Sequence, residues 1–192
     1  MESIKLWPCN TIDPSWLTEA EETAKKRRDY HSGKGSKQHW FDPQKGEYAD
    51  EIYGSLGNIV FREFMKKAYP EVPCESAPLF TTKLKEMPDW DNLIDGKHSL
   101  EIKAIPPDDE KIKRIRLLVK KTEFKKLDFY LGVKFWDINT YSFCGLATGE
   151  QVAGWPSKSF GYSPAYWCLL SELPIKFEGK WWENKNQNND NP

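Results

Sequence analysis

No apolar stretch in the chain approaches the ~20 residues that a membrane span requires, so no membrane partner is expected. The opening MESIKLWPCN carries no hydrophobic signal region. Together these absences make the cytoplasm the expected compartment. Cysteine is sparse: Cys9, Cys74, Cys144 and Cys168 lie far apart, with no CxxC and no histidine pair beside them. That spacing argues against a zinc site, and a reducing compartment argues against disulfides. All four are expected to be small packing residues. Histidine is scarcer still. His31, His39 and His98 lack the spacing of an HNH nuclease or a histidine metal centre, and surface or structural roles are expected for them. Charge of one sign is not in excess either. The net charge of −1 gives no global reason to bind nucleic acid, so any basic surface must be local.

What remains is a 192-residue chain with 30% charged residues and nine tryptophans. That length suits one domain with a sizeable core. Asp13-Pro14-Ser15 reads as a helix start, because proline tolerates the first turn. The helix runs on through WLTEAEETAKKRRDY. Its basic end, Lys25 to Arg28, complements the helix dipole; the alternative is a phosphate-facing role. HSGKGSKQHWFDPQKGEY follows as a basic loop. It lacks both the glycine spacing and the preceding strand of a phosphate-binding nucleotide loop.

Residues 50 to 69 form the best-patterned helix, with Ile52, Leu56, Ile59, Val60 and Phe64 at helical spacing. Gly54 and Gly57 lie on or beside that face. Each costs about 1 kcal/mol against alanine, which points to close approach by another element. Strands are expected in LFTTKLKEM (edge or irregular), in the stretch 89 to 104, in RIRLLVKK, in DFYLGVKFWDI and in TYSFCGLAT, followed by a helical turn. SPAYWCLLSELPIKF closes the fold. The order predicts an α/β domain with a central mixed β-sheet flanked by helices. One domain is expected over 1–182, with its core at about 50–150 and the helix and loop of 13–48 appended. The tail 183–192 is expected to be disordered.

The chemistry concentrates in DWDNLIDGKHSLEIKA, residues 89–104. Asp95-Gly96 is a strong turn signal between two β-prone runs. A three-residue loop, Asp95-Gly96-Lys97, would pair Asp91 with Glu101 and Asp89 with Lys103. A two- or four-residue loop would put them on opposite faces unless a bulge restored the match. With the faces matched, two carboxylates about 4 Å apart repel by about 4 kcal/mol at an effective dielectric of about 20. A proton, a lysine or a metal relieves that. Asp91, Glu101 and the backbone carbonyl of Ile102 would cradle Mg²⁺, a hard cation that takes oxygen ligands, and Lys103 points to the same place. Glu-x-Lys alone carries no information, because it occurs at residues 101, 123, 178 and 183. Only the first follows an aspartate-bearing strand and a tight turn.

Pro88-Asp89-Trp90-Asp91 followed by Glu101-Ile102-Lys103 resembles the PD-(D/E)XK nuclease superfamily over roughly residues 50–150. YGSLGNIVFREFM, DWDNLI, EIKA, RLLV, DFYLGV and FCGLATGEQV are similar to its small phage and prokaryotic members. The resemblance implies a restriction-endonuclease-like core and metal-dependent hydrolysis of DNA phosphodiester bonds. Asp91 and Glu101 would bind Mg²⁺, with Mn²⁺ as a substitute, and Lys103 would orient the attacking water. Asp89 is the alternative ligand to Asp91. Where many members carry a glutamate on the first helix, this chain has Asn58; Glu51 and Glu63 are the nearby substitutes, and Ala104 stands where a threonine is usual. Restriction, homing and phage recombination or repair roles are all consistent with it, and a homodimer would cut both strands. The alternative is a non-catalytic DNA-binding or assembly protein on a degenerate nuclease fold, which Asn58 favours. A fully structural role, with the acids paired to nearby lysines on a solvent face, is a further rival.

Lys111, Lys113, Arg114, Arg116, Lys120, Lys121, Lys125 and Lys126 crowd into sixteen residues, with Glu123 the only acid after residue 110 among them. On a solvated strand such charges need no further role. Beside a phosphate-cleaving site they form a candidate DNA track, with Lys111, Lys113, Arg114, Arg116, Lys120 and Lys121 as its contacts. Trp40, Trp155, Tyr162, Tyr166 and Trp167 would either stack on bases or fill the core.

Overall fold

The computed structural model describes residues 7–32, 49–82, 87–107, 116–159 and 164–183. Residues 33–48 and 184–192 and the basic residues Lys111, Lys113 and Arg114 lie outside the described residues, as do Trp40, His39 and Tyr162. Helix α1 (Pro14–Ser32) starts where the Asp13-Pro14-Ser15 signal puts it. The Asp13 carboxylate accepts the Ser15 backbone N–H at 2.8 Å, satisfying a donor that the first turn leaves open. Helix α2 (Ala49–Ala68) follows. Ala20 and Ala24 of α1 are fully buried where the two helices meet. Arg62 of α2 grips Glu19 of α1 in a bidentate pair at 2.8 and 2.9 Å. Arg27 donates to the Leu79 carbonyl at 3.0 Å through Nε, so this member of the basic helix end ties α1 to the chain that precedes the hairpin.

Among the described residues, nine strands form two sheets. The larger has the order β1 (Asn10–Thr11), β7 (Thr140–Thr148), β6 (Phe129–Phe135), β4 (His98–Ile105), β3 (Asn92–Ile94), β2 (Cys74–Ser76). Its β4–β6 pair is parallel and the others are antiparallel, so the expected central mixed sheet is present. The smaller sheet, β5 (Arg116–Lys120), β9 (Pro164–Leu169) and β8 (Ser157–Ser159), is an addition to the expected architecture. Periodicity identifies strands but not their partners, and β5 pairs with the distant β9 rather than with the central sheet. The edge of the large sheet next to β3 is Cys74–Ser76, and the described residues of LFTTKLKEM, 79–82 and 87, are irregular, the second of the two readings for that stretch. A short helix α3 (Gly149–Gly154) follows β7, opened by a capping box in which Thr148 and Gln151 satisfy each other's backbone N–H.

The two faces of the large sheet carry separate cores. Leu100, Ile102, Phe129, Leu131, Val133, Phe135 and Phe143 pack beneath α2 with Trp181 and Trp182. Tyr130, Cys144 and Ala147 project the other way, onto Leu117 and Val119 of β5, Val152 of α3 and Leu170. The register of β6 on β7 shifts between Gly132 and Val133, and this irregularity lets Phe143 and Leu146, three residues apart, serve the same core. Gly57 meets the expectation of close approach: a Cβ there would lie 3.1 Å from Ile102 Cγ2 and 3.3 Å from Ala104 Cβ. Gly54 does not, since an added Cβ would meet nothing within 4 Å. All four cysteines are free thiols, and Cys9 is exposed rather than a packing residue. Among the described residues no helix is long and apolar enough to cross a membrane.

Candidate active site

The hairpin register decides whether the acids converge. Ile94 pairs with His98, leaving the three-residue loop Asp95-Gly96-Lys97. Asp95 and Gly96 take φ of 51° and 63°, the left-handed region that aspartate tolerates and glycine adopts freely. The Lys97 N–H closes the turn on the Ile94 carbonyl at 3.1 Å. The ladder runs from Ile94–His98 to Asn92–Leu100, so the three-residue loop of the matched-face arrangement is present and Asp91 stands one residue outside the ladder.

The strand does not continue as far upstream as its pattern suggests. Regular pairing begins only at Asn92. The Asp91 backbone N–H still reaches the Leu100 carbonyl at 2.9 Å, but its carboxylate then takes the next ladder position, accepting the Ile102 N–H at 2.7 Å. Asp91 therefore ends β3 by replacing a backbone acceptor with a side-chain one. Its carboxyl is pushed up to about 6, chiefly by burial. The Ile102 N–H opposes this, Glu101 adds to it, and Lys103 and Lys125 pull it down. A carboxyl raised by burial and a second acid is a feature of functional sites.

Asp89 is not paired with Lys103. Its side chain is 89% exposed, and Lys125 donates to its backbone carbonyl at 2.8 Å. The chain turns away before Asn92, so the face-sharing expected of Asp89 and Asp91 does not extend along a strand. Of the two aspartates, Asp91 is the one tied to β4, through the Ile102 N–H.

Along β4 the side chains alternate. Ile102 and Ala104 meet Gly57 of α2, so Glu101 and Lys103 project from the opposite face, toward the smaller sheet. Glu101 is buried. Its Oε1 lies 2.6 Å from Lys103 Nζ. Its Oε2 is buried and, among the described residues, has no hydrogen-bond partner. A buried carboxylate oxygen left bare is costly and marks a place where a ligand atom would fit. Lys103 Nζ also lies 3.8 Å from Glu123 Oε2. Glu123, in the turn after β5, holds Lys120 at 2.7 Å through its other oxygen. Tyr130, directly across from Glu101 in the parallel pair, donates its hydroxyl to the Lys125 carbonyl at 2.7 Å and accepts the Lys125 N–H at 3.0 Å.

The candidates on α2 stand elsewhere. Asn58 is tied into a polar ladder: its Oδ1 accepts from Asn92 Nδ2 at 3.3 Å, and Asn92 Oδ1 accepts from Ser76 at 2.7 Å. Glu63 is held by Arg62 at 2.9 Å and Lys66 at 2.8 Å. Glu51 Oε2 is buried with no hydrogen-bond partner among the described residues. All three belong to the helix on the Ile102–Ala104 face, whereas Glu101 and Lys103 occupy the other. The acid that the structure adds to this pair is Glu123, which no motif in the sequence singles out for the site. Its one available signal is its position as the lone acid in the basic stretch after residue 110.

Of the candidate DNA contacts among the described residues, Arg116 and Lys121 are engaged with aromatic rings of β9. Arg116 lies over the Trp167 ring at 5.2 Å and Lys121 over Tyr166 at 5.1 Å. Trp155 and Tyr166 pack against the second core, the core-filling alternative for these aromatics. Among the described residues, no group of three or more His, Cys, Asp or Glu side chains stands together as a metal centre. The donors gathered around Asp91 are two carboxylates and, since the N–H and C=O of one strand residue face the same neighbour, the Ile102 carbonyl. No family model, curated protein or solved structure matches the chain.

Proposed function

We propose that this protein is a Mg²⁺-dependent endonuclease that hydrolyses DNA phosphodiester bonds on a restriction-endonuclease-like core of the PD-(D/E)XK type. The observation that carries this reading is the meeting of Asp91 with Glu101 and Lys103 across a three-residue hairpin, with the buried Glu101 Oε2 left without a partner among the described residues. The donor set fits Mg²⁺, which keeps several waters and is commonly held by only one or two carboxylates. Asp91, Glu101 and the Ile102 carbonyl would hold it. When bound, it supplies Lewis acidity to the phosphate and makes a coordinated water more acidic.

The chain's own residues supply the rest. Burial beneath the small sheet fixes the Glu101 carboxylate on a strand rather than a loop, which keeps its position narrow. The Lys103 ammonium, two residues on and on the same face, would hold the attacking water and stabilise negative charge developing on the phosphate. Asp91, anchored to the Ile102 N–H, holds the opposite wall of the cradle. Arg116, Lys120 and Lys121 supply positive charge for the phosphate backbone on either side of the cut. A homodimer would bring two such sites to the two strands.

One observation favours a second reading, a DNA-binding or assembly protein without catalysis. Asn58 occupies a helix position where the resembled enzymes carry an acid, and it is committed to Asn92. Incubation with plasmid and linear DNA in Mg²⁺, Mn²⁺ or EDTA separates the two. The nuclease reading expects nicked or linear plasmid with either metal and none with EDTA. Retarded but uncut DNA under all three conditions supports the second reading instead.

A further inference from the structure

We infer that Glu123 is a positioning residue that draws the Lys103 ammonium away from Glu101 when a divalent cation occupies the site. This inference rests on the metal-site reading above. Lys103 Nζ sits between two carboxylates, 2.6 Å from Glu101 Oε1 and 3.8 Å from Glu123 Oε2. At the shorter distance the lysine neutralises the same carboxylate that a metal needs. A divalent ion arriving at Glu101 meets a positive charge already there, and like charges a few ångströms apart in a partly desolvated site repel strongly. The lysine must move or the ion is excluded.

The geometry provides a destination. The side chains of Lys103 and Glu101 are 19% and 11% exposed, so retreat to bulk water is restricted, whereas that of Glu123 is 46% exposed at the rim. Glu123 Oε1 is occupied by Lys120 at 2.7 Å, leaving Oε2 facing Lys103. A shift of about 1 Å closes the longer distance to hydrogen-bond length. In that position the ammonium no longer neutralises Glu101 but remains beside it, where a water-orienting role requires it. Glu123 thus acts through Lys103 and touches neither metal nor DNA. The turn that carries it belongs to the small sheet, so that sheet becomes part of the site rather than a cover for the core.

Isothermal titration of Mn²⁺ into the full metal-free chain tests this without any readout of cleavage. Lys103→Met removes the competing charge at similar length and is expected to tighten Mn²⁺ about tenfold (about 1.4 kcal/mol). Glu123→Gln is expected to weaken it about tenfold in the otherwise unchanged protein, because the lysine then stays on Glu101. In the Lys103→Met background Glu123→Gln is expected to change nothing, and Glu123→Asp to restore part of the loss in the parent. Equal weakening with and without Lys103 overturns the inference, since Glu123 would then act on the ion itself. So does an unchanged affinity in Glu123→Gln, although the metal site would survive if Glu101→Gln still abolished binding. Absence of Mn²⁺ binding in both the parent and Lys103→Met sinks the metal-site reading and the inference together. Thermal melts confirm that each variant is folded, with Lys103→Gln as the replacement should Lys103→Met fail.

Discussion

Lys103 Nζ lies 2.6 Å from Glu101 Oε1, two residues apart on one face of a strand whose other face is closed by α2. That pair belongs to the only Glu-x-Lys of the chain that follows an aspartate-bearing hairpin. Asp91, across the hairpin, is tied to the peptide between them at 2.7 Å. The three side chains are one structural unit, so substitutions within it should have related consequences.

If the unit hydrolyses DNA, Lys103→Ala should lower plasmid cleavage by a factor of about 10² or more, the scale of losing a group that stabilises developing charge. DNA retardation in EDTA should remain. Glu101→Ala should abolish cleavage in Mg²⁺ and weaken Mn²⁺ binding in parallel. Cleavage at the parent rate by Glu101→Ala would show that the site lies elsewhere.

The Asp91 carboxyl gives a pH-dependent stability whose sign can be stated. Burial raises it from an ordinary value of 3.8 to about 6. The folded state therefore holds this proton more tightly than the unfolded chain, and folding becomes less favourable as pH rises through that window. Above it the penalty is constant at about 1–3 kcal/mol. Asp91→Asn keeps an oxygen for the Ile102 N–H and removes the charge. Urea melts in EDTA should find it more stable than the parent at pH 7, with the difference shrinking toward pH 4. A variant less stable than the parent at pH 7 would contradict this.

The two glycines of α2 should respond in opposite directions. Gly57→Ala brings a Cβ against Ile102 and Ala104 at 3.1 and 3.3 Å. Ala104 has no rotamer with which to yield, so a loss of about 1–3 kcal/mol is expected. Gly54→Ala meets nothing within 4 Å and gains helix propensity, raising stability by about 0.5–1 kcal/mol. Thermal denaturation of the two variants side by side measures both.

Basic residues of the small sheet should show in the salt dependence of DNA binding rather than in cleavage chemistry. Lys121→Ala and Arg116→Ala should each weaken binding across sequences. Each should also make the slope of log affinity against log salt shallower, by about one unit for every phosphate that the variant no longer neutralises. An unchanged slope in both would remove them from the DNA track. Arg116→Ala should additionally expose the Trp167 ring, visible as a red shift in its fluorescence.

Much of this arrangement is legible without the fold. The Asp13-Pro14 start, the helix through Gly57 and the hairpin turn are written in local preferences: a proline that tolerates a first turn, apolar residues at helical spacing, and Asp-Gly where the backbone must turn left-handed. The turn signal leaves the loop length open, and it is the structure that selects three residues and brings the Asp91 carboxylate to the Ile102 N–H. The small sheet is not legible, because β5 and β9 are separated by more than forty residues, and each strand pattern is compatible with several partners. Asp89 departs from its expected place for a related reason. Alternation assumes a continuing strand, whereas Asp91 ends regular pairing by committing its carboxylate to the Ile102 N–H.

The amino-acid sequence by itself determined that Glu101 and Lys103 share a face, since a strand has a period of two, while the place of Asp91 hung on a loop length that the structure sets at three residues. Only the tertiary structure decided what covers that face. Helix α2, with Asn58 and Glu63, took the Ile102–Ala104 side because Gly57 lets it approach there, and the β5 turn brought Glu123 to the other side. Alternation says which side chains point together. Which distant element packs above them depends on long-range contacts between whole surfaces, and no local pattern in the chain encodes that choice.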